Sequence, residues 1–158
     1  MVALRFPIGI SGQVLVLPDE AQSHFADMRQ DSWRKSEAGG QLFAHITPAE
    51  ITVTTVTGPR PSDKRGRYYF GPDRRAEQQE IGAMHKRDLH YVGDWHTHPE
   101  RVPSPSERDI RSIDECARKS GHGLRAFVLI LVGTAPFPKG LYVSLHSGHE
   151  AVELQPQE

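Results

Sequence analysis

Hydrophobic residues along the chain alternate between two spacings, and each change of spacing predicts the boundary of an element. In the first third of the chain, three runs rich in β-branched residues and leucine have the character of strands: residues 12–18, 41–46 and 50–57. Between the first two runs, Ala21, Phe25 and Met28 recur at helical spacing. This pattern predicts a helix with one buried face, for which Asp19 is the expected N-cap.

A stretch rich in glycine, proline and arginine at residues 58–73 interrupts this pattern. It predicts a long exposed loop that contains a short strand at residues 68–70. Asp73 can then cap a second helix. The expected apolar face of that helix has two members, Ile81 and Met84.

The next elements are an extended segment at residues 90–98 and a third helix that begins at Ser106. Three residues are expected to line the apolar face of this helix: Ile110, Ile113 and Ala117. Gly121 and Gly123 are expected to end it. The extended segment therefore ends close in sequence to the start of a helix.

A continuous apolar run at residues 125–133 predicts a strand buried on both faces. Strands at 140–146 and 150–154 are expected to complete the sheet, and the last residues, 155–158, are expected to be frayed. Helices and strands in this order predict a single α/β (α+β) domain over residues 1–154, with a central mixed β-sheet flanked by helices.

Composition limits the classes of function. Hydrophobic residues make up 37% of the chain and charged residues 25%, as in a globular protein. The net charge of −1 excludes a global basic field, so neither nucleic acid nor membrane is an expected partner. Pro7, Gly9 and Gly12 interrupt the apolar N-terminal segment, which predicts no signal peptide. Cys116 is the only cysteine, which excludes an intramolecular disulfide and fits a cytoplasmic protein.

The candidate chemistry lies in the segment GDWHTHPERVPSPSERD, residues 93–109. His96 and His98 share one face of the predicted strand, because side chains alternate along it. Asp109, in the first turn of the next helix, can supply a third ligand to a zinc ion, whose fourth position then holds water. Prolines stiffen the loop between them.

The same residues also have an ordinary structural explanation. Two histidines in an H-x-H pattern are weak support for a metal site when taken alone. Ser106 and Asp109 fit a helix start of the S-x-x-D type, in which the two residues cap each other's backbone groups. Both interpretations can hold together, because a carboxylate at a helix N-terminus can also bind a metal ion.

The complete pattern H-x-H-x₇-S-x-x-D, from His96 to Asp109, resembles that of the JAMM (MPN-plus, JAB-domain) zinc metalloproteases, the isopeptidases of ubiquitin-like systems. That family has an upstream glutamate, which Glu37 in EAGGQLF matches. The resemblance implies a single JAB/MPN, cytidine deaminase-like domain with one catalytic zinc ion. It also implies that Glu37 is the general base and that Ser106 stabilises the oxyanion.

Within that family, the chain most resembles the bacterial CD-NTase-associated isopeptidases of CBASS antiphage systems. The resemblance lies in three sequence segments: EAGGQLF, GDWHTHPE and PSPSERD. This resemblance implies a protein substrate with an extended C-terminal tail, and cleavage after the last residue of a conjugated nucleotidyltransferase. Processing of a ubiquitin-like sulfur carrier, or of another ubiquitin-like tail, is the alternative. A metal-free binding scaffold and a metal-dependent phosphoesterase are the remaining alternatives.

Several neighbouring residues have competing interpretations. His85 and His90 have ordinary surface explanations, and Cys116 is expected to be a small core residue. Asp94 either orients a metal-binding imidazole or is a solvated carboxylate. The basic segment at residues 63–67 either contacts substrate or is a solvated loop. The strand at 50–57 or the strand end at 93–99 is the expected edge for pairing with a substrate tail.

Overall fold

The computed structural model describes residues 2–9, 11–119 and 126–158. Within these ranges the strands and helices follow in this order: β1 Leu4–Pro7, β2 Val14–Leu17, α1 Asp19–Met28, β3 Gly39–Ile46, β4 Glu50–Val56, β5 Lys64–Gly66, β6 Tyr69–Gly71, α2 Arg74–His85, β7 His90–Thr97, α3 Glu107–Lys119, β8 Phe127–Val132, β9 Leu141–His146 and β10 Ala151–Glu153.

Eight of the strands form one mixed sheet in the order β1-β2-β4-β3-β7-β8-β9-β10. The pairs β2–β4 and β7–β8 are parallel, and the other neighbours are antiparallel. Strands β5 and β6 form a separate two-stranded hairpin. The predicted fold class, a mixed central sheet flanked by helices, is confirmed.

Strand β8 is buried on both faces, which explains why its sequence is apolar without alternation. Val128, Ile130 and Val132 face the core that α1 covers, where Phe25 and Trp95 also lie. The other three side chains of β8 belong to the core under α3: Phe127, Leu129 and Leu131. Each fully buried aliphatic or aromatic side chain contributes about 1.5–3 kcal/mol, so a strand covered on both sides anchors the whole sheet.

The predicted helices form, but details of their ends and faces differ. Pro18, not Asp19, is the N-cap of α1; no side chain caps the helix, and Asp19 lies in the first turn, where its charge favours the helix dipole. The cap of α2 is confirmed, because Asp73 accepts a hydrogen bond from the Ala76 N–H at 3.1 Å. The buried residue of α2 is Glu77.

The apolar faces of two helices differ from the expectation. Ile81 and Met84 of α2 are only half-buried. Ile110 of α3 is 36% exposed, because Ile113 sets the face that packs on the sheet. The predicted helix stop at Gly121 and Gly123 lies outside the described residues.

Three further differences concern strands. Strand β1 was not predicted; its four residues are too few for a clear period. The short strand expected at 68–70 is one arm of the β5–β6 hairpin. Near the C-terminus, which was expected to be frayed from residue 155, the Gln157 N–H donates to the Arg5 carbonyl at 2.8 Å.

The expected edge strands lie inside the sheet. Strand β4 lies between β2 and β3, although β2 pairs only with residues 50–52 of β4, and β7 lies between β3 and β8. Residues 93–96 of β7 are paired on both sides, so they have no free edge for a substrate tail. None of the described helices combines the length and hydrophobicity needed to cross a bilayer.

Candidate metal centre

Strand β7 presents the two candidate histidine ligands at its C-terminal end. Trp95 and Thr97 point into the buried core, so His96 and His98 face the opposite side, as strand alternation predicts. The His98 N–H donates to the Val132 carbonyl at 3.0 Å, which continues the pairing with β8 one residue beyond the strand. Both imidazoles are therefore fixed by backbone bonds of the central sheet.

The loop after β7 is held by the chain that follows β8. The Thr134 N–H donates to the Glu100 carbonyl at 2.8 Å, and the Ala135 N–H donates to the Arg101 carbonyl at 3.0 Å. Pro103 is buried in the same loop. Backbone hydrogen bonds therefore add to the predicted stiffness of the prolines, and the loop returns the start of α3 to the end of β7.

Asp109 lies between the two imidazoles. Its Oδ1 atom is 2.7 Å from His96 Nε2, and its Oδ2 atom is 3.2 Å from His98 Nε2. The ligand atoms of the three residues lie within 4.8 Å of one another. Two imidazole nitrogens and one carboxylate oxygen form a donor set that fits zinc, so the residues present fit the predicted ion. Their role as ligands stays a prediction.

Ser106 and Asp109 also form the predicted helix start. The Ser106 N–H donates to Asp109 Oδ2 at 2.8 Å, and the Asp109 N–H donates to Ser106 Oγ at 3.1 Å. This reciprocal pair fixes the Asp109 carboxylate beside the histidines. The Ser106 side chain is exposed at the cleft and keeps its hydroxyl proton for another acceptor. The predicted helix start is therefore confirmed, and the roles of both residues in the site stay predictions.

The charges of the cluster depend on one another. Burial disfavours the ionised form of Asp109, but hydrogen bonds from His96 and His98 outweigh it and hold the pKa of Asp109 far below its usual value. Burial also disfavours a charged His98, yet its hydrogen bonds with Asp109 and Glu100 raise its pKa. The site therefore favours an ionised carboxylate, which is the state that binds a cation.

Glu100 is a functional candidate that the sequence argument missed. Its Oε1 atom accepts a hydrogen bond from His98 Nδ1 at 3.0 Å. A carboxylate can only accept, so it fixes the proton on Nδ1 and leaves Nε2 for a metal ion. Its position two residues after His98 in the sequence was the available signal.

Glu37 faces the cluster across a cleft of about 390 Å³ that also contains Ser106. Its backbone is held on both sides by the β5–β6 hairpin. The Glu37 N–H donates to the Gly66 carbonyl at 2.7 Å, and Arg65 Nε donates to the Glu37 carbonyl at 2.7 Å. Burial raises the pKa of Glu37, despite the opposing charges of His96 and His98. That direction suits a carboxylate that exchanges protons near neutral pH.

The two glycines after Glu37 are required by close packing. A Cβ atom at Gly40 would overlap the Thr57 carbonyl. A Cβ atom at Gly39 would lie 2.8 Å from both the Trp95 carbonyl oxygen and the Phe70 ring. The glycines therefore let β3 approach the site closely, which places Glu37 opposite the end of β7.

The basic segment at residues 63–67 has a structural role. Arg65 bonds the Glu37 carbonyl, and Arg67 Nη1 donates to the Ser32 carbonyl at 3.1 Å. The Gln30 side chain in turn donates to the Arg67 carbonyl at 2.8 Å. The description of this segment as a solvated loop is therefore incomplete, while its contact with substrate stays a prediction. Arg65 carried no sequence signal for this role because Glu37 lies 28 residues away.

The remaining candidates lie outside the cluster. Asp94 accepts a hydrogen bond from the Tyr91 hydroxyl at 2.7 Å and, among the described residues, does not bond an imidazole. Burial raises the pKa of Cys116 to about 11, so its thiol is unsuited to nucleophilic attack. His85 and His90 are exposed and stack edge-on with ring centroids 6.5 Å apart.

A mixed sheet with a His-His-Asp cluster at the end of a central strand defines an α/β domain with a candidate single-metal site. Residues 20–144 match the model of a family described as prokaryotic homologs of the JAB domain. The chain belongs to this family, which confirms the predicted membership.

Relatives with assigned names agree with this membership. The chain is 30% identical over 103 residues to a CD-NTase/cGAS isopeptidase of Escherichia coli (strain TW11681), covering 62% of this chain and 65% of that protein. It is 34% identical over 103 residues to a protein of the same name from Enterobacter hormaechei, covering 64% of this chain and 57% of that protein. A probable metalloprotease, y4qB, of Sinorhizobium fredii is 33% identical over 107 residues, with 64% of this chain and 65% of that protein covered. The matches thus span less than two thirds of these relatives.

Solved structures show the same fold. Protein DSY2949 from Desulfitobacterium hafniense superposes with a TM-score of 0.62 at 20% identity, covering 87% of each chain. A protein from Salinibacter ruber superposes with a TM-score of 0.51 at 18% identity, covering 90% of this chain and 88% of that one. At these identities the likeness concerns the fold alone.

Proposed function

We propose that this chain is a zinc-dependent isopeptidase that cleaves after the C-terminal residue of a conjugated protein. The observation that carries the proposal is the convergence of Glu37 and Ser106 with His96, His98 and Asp109 in one cleft. Three relatives are named isopeptidase or metalloprotease, which supports the same reaction class. The complete ligand set argues against a metal-free scaffold.

In this mechanism, His96, His98 and Asp109 would hold the zinc ion. A bound zinc ion supplies a polarising charge and lowers the pKa of water to about 7. Glu37 accepts a proton from the attacking water and delivers it to the leaving amine. The Ser106 hydroxyl donates a hydrogen bond to the oxygen that becomes negative in the transition state. Glu100 holds the His98 ring in the tautomer that binds a cation.

The substrate proposal follows the names of the relatives. We infer that the conjugated protein is a CD-NTase of an antiphage system, joined through its C-terminal tail to an amine, and that the reaction takes place in the cytoplasm. The cleft beside Glu37 is lined by aromatic side chains, Tyr68, Tyr69 and Phe70, and by the Arg108 guanidinium over the Tyr69 ring at 4.6 Å. Such a groove suits an extended tail more than a compact phosphate ester.

The function is tested with two fusion substrates. One carries the C-terminal tail of a CD-NTase, and the other carries a ubiquitin-like sulfur carrier, each followed by a reporter protein. We expect cleavage of the first after its last tail residue, loss of cleavage with a chelator, and recovery with zinc. Intact-mass measurement locates the cut. Cleavage that survives the chelator contradicts the mechanism, and cleavage of the second fusion alone supports the alternative substrate class.

The support of Glu37 by the hairpin gives a further prediction for this reaction. Arg65→Ala removes the side chain that bonds the Glu37 carbonyl, so the base is positioned less accurately. We expect kcat to fall about tenfold while zinc affinity is unchanged. The matched control is Lys64→Ala, because the Lys64 side chain makes no hydrogen bond among the described residues. Equal kcat values for the two variants would show that Arg65 does not position Glu37.

A further inference from the structure

A second polar network lies under α3, away from the cleft. Ser144 Oγ and His146 Nε2 are hydrogen-bonded at 2.7 Å, and His146 Nδ1 lies 3.1 Å from Asp114 Oδ1. Because a carboxylate only accepts, the His146 proton is on Nδ1 and points to Asp114. The order serine, histidine and aspartate resembles a hydrolytic triad. However, Ser144 is 0% exposed and His146 is 1% exposed, so no substrate reaches the hydroxyl.

The position of this network suggests its purpose. Ser144 and His146 belong to β9, on the face that α3 covers, and Asp114 belongs to α3. The network therefore joins the helix to the sheet. Arg118 Nη1 adds a second polar contact, because it donates to the Gly148 carbonyl at 3.1 Å.

Helix α3 has little apolar attachment to the sheet. Ile113 is its only buried residue among those described, and Ile110 is 36% exposed. Ala117 is only partly buried in the core beneath the helix. A helix of 13 residues with a single buried side chain relies on polar contacts for its position more than α1 does, which buries Phe25 and Ala21. The His146–Asp114 contact is the most buried of these polar contacts.

The same helix carries the candidate ligand Asp109. Asp114 follows Asp109 by five residues, about 7.5 Å along the helix axis. A helix moves as a rigid body over this distance, so a change at Asp114 displaces Asp109 relative to His96. We propose that the Ser144–His146–Asp114 network fixes the position of α3 and thereby the geometry of the metal centre. His146 is then a positioning residue, and this inference rests on the proposed function.

The test measures the melting temperature of each metal-free variant and then, below that temperature, the zinc affinity by competition with a chromogenic chelator. We expect His146→Ala to weaken zinc binding about 10-fold, the lower end of the cost of losing a group bonded directly to a ligand, because His146 acts on Asp109 only through the helix. His146→Asn keeps an amide N–H close to the place of Nδ1, so its affinity should stay within about threefold of the unmodified protein.

The control separates positioning from general stability. Phe25→Leu lowers the melting temperature from the opposite face of the sheet, and we expect it to leave zinc affinity unchanged. Asp114→Ala, at a half-buried position, replaces His146→Ala if that variant does not fold.

The outcomes are distinct. Unchanged zinc affinity in His146→Ala and Asp114→Ala overturns the inference, as does an equal loss in Phe25→Leu. Failure of the unmodified protein to bind zinc overturns the proposed function itself. Restoration of affinity by His146→Asn supports the positioning role, because a cavity effect alone would not be reversed by one hydrogen-bond donor.

Discussion

Replacing Glu37 with glutamine is expected to abolish turnover while the protein still binds zinc. Glutamine keeps the shape of the side chain but cannot accept a proton, and general-base catalysis contributes about 10²–10⁴-fold. The backbone bonds from Gly66 and Arg65 do not involve the carboxylate, so the loop stays in place. We therefore expect kcat to fall by about 10³-fold and zinc content to be unchanged, as measured by steady-state kinetics and elemental analysis.

The control for this variant is Glu107→Gln, which changes an exposed carboxylate in the first turn of α3. Its kcat and zinc content should match those of the unmodified protein. Loss of zinc from Glu37→Gln would mean that Glu37 is a ligand and that the assignment of separate roles is wrong. Full activity in Glu37→Gln would show that another group accepts the proton.

The second large effect is expected from Asp109→Ala, which removes the carboxylate between the two imidazoles. Loss of one of three ligands should weaken zinc binding by more than the roughly 100-fold that loss of an outer partner costs. Activity at limiting zinc should disappear with it. Competition with a chelator measures the affinity, and an affinity equal to that of the unmodified protein would remove Asp109 from the ligand set.

The same variant also has an effect without metal. The pKa of Asp109 is lowered by its hydrogen bonds with His96 and His98, so the folded protein binds the proton at Asp109 less tightly than the unfolded chain does. Its stabilisation is therefore present above the ordinary carboxyl pKa of 3.8 and is lost as the pH falls through the lowered value. Metal-free Asp109→Ala should melt at a lower temperature than the parent protein at pH 7, with a smaller difference at strongly acidic pH. Calorimetry across this pH range checks the sign.

The parts that the sequence predicted are those encoded locally. His96, His98, Ser106 and Asp109 lie within 14 residues, and strand alternation followed by a helix start is sufficient to bring them together. The apolar run of β8 likewise predicted a strand covered on both faces, because burial on two sides removes the usual alternation of apolar and polar residues. Hydrophobic periodicity and helix capping depend only on residues that are close in sequence.

The parts that the sequence did not predict depend on contacts between distant residues. Arg65 bonds the Glu37 carbonyl across 28 positions, and His146 contacts Asp114 across 32 positions. The neighbours of β4 and β7 are also decided by sheet order, which spacing along the chain does not encode. The role of Glu37 follows from the family resemblance. The sequence of the hairpin that holds Glu37 predicts only a basic loop with one short strand.

The attachment of Glu37 to the hairpin has a consequence for discrimination between substrates. The backbone N–H and carbonyl of Glu37, the proposed base, both form hydrogen bonds with residues of β5. Tyr68, at the tip of the same hairpin, is 75% exposed. Tyr68 also lines the cleft, so a substrate that occupies the cleft contacts the same hairpin that holds the proposed base. Under the proposed function, substrate binding and the position of Glu37 would therefore be coupled, and conjugates would differ in kcat as well as in KM.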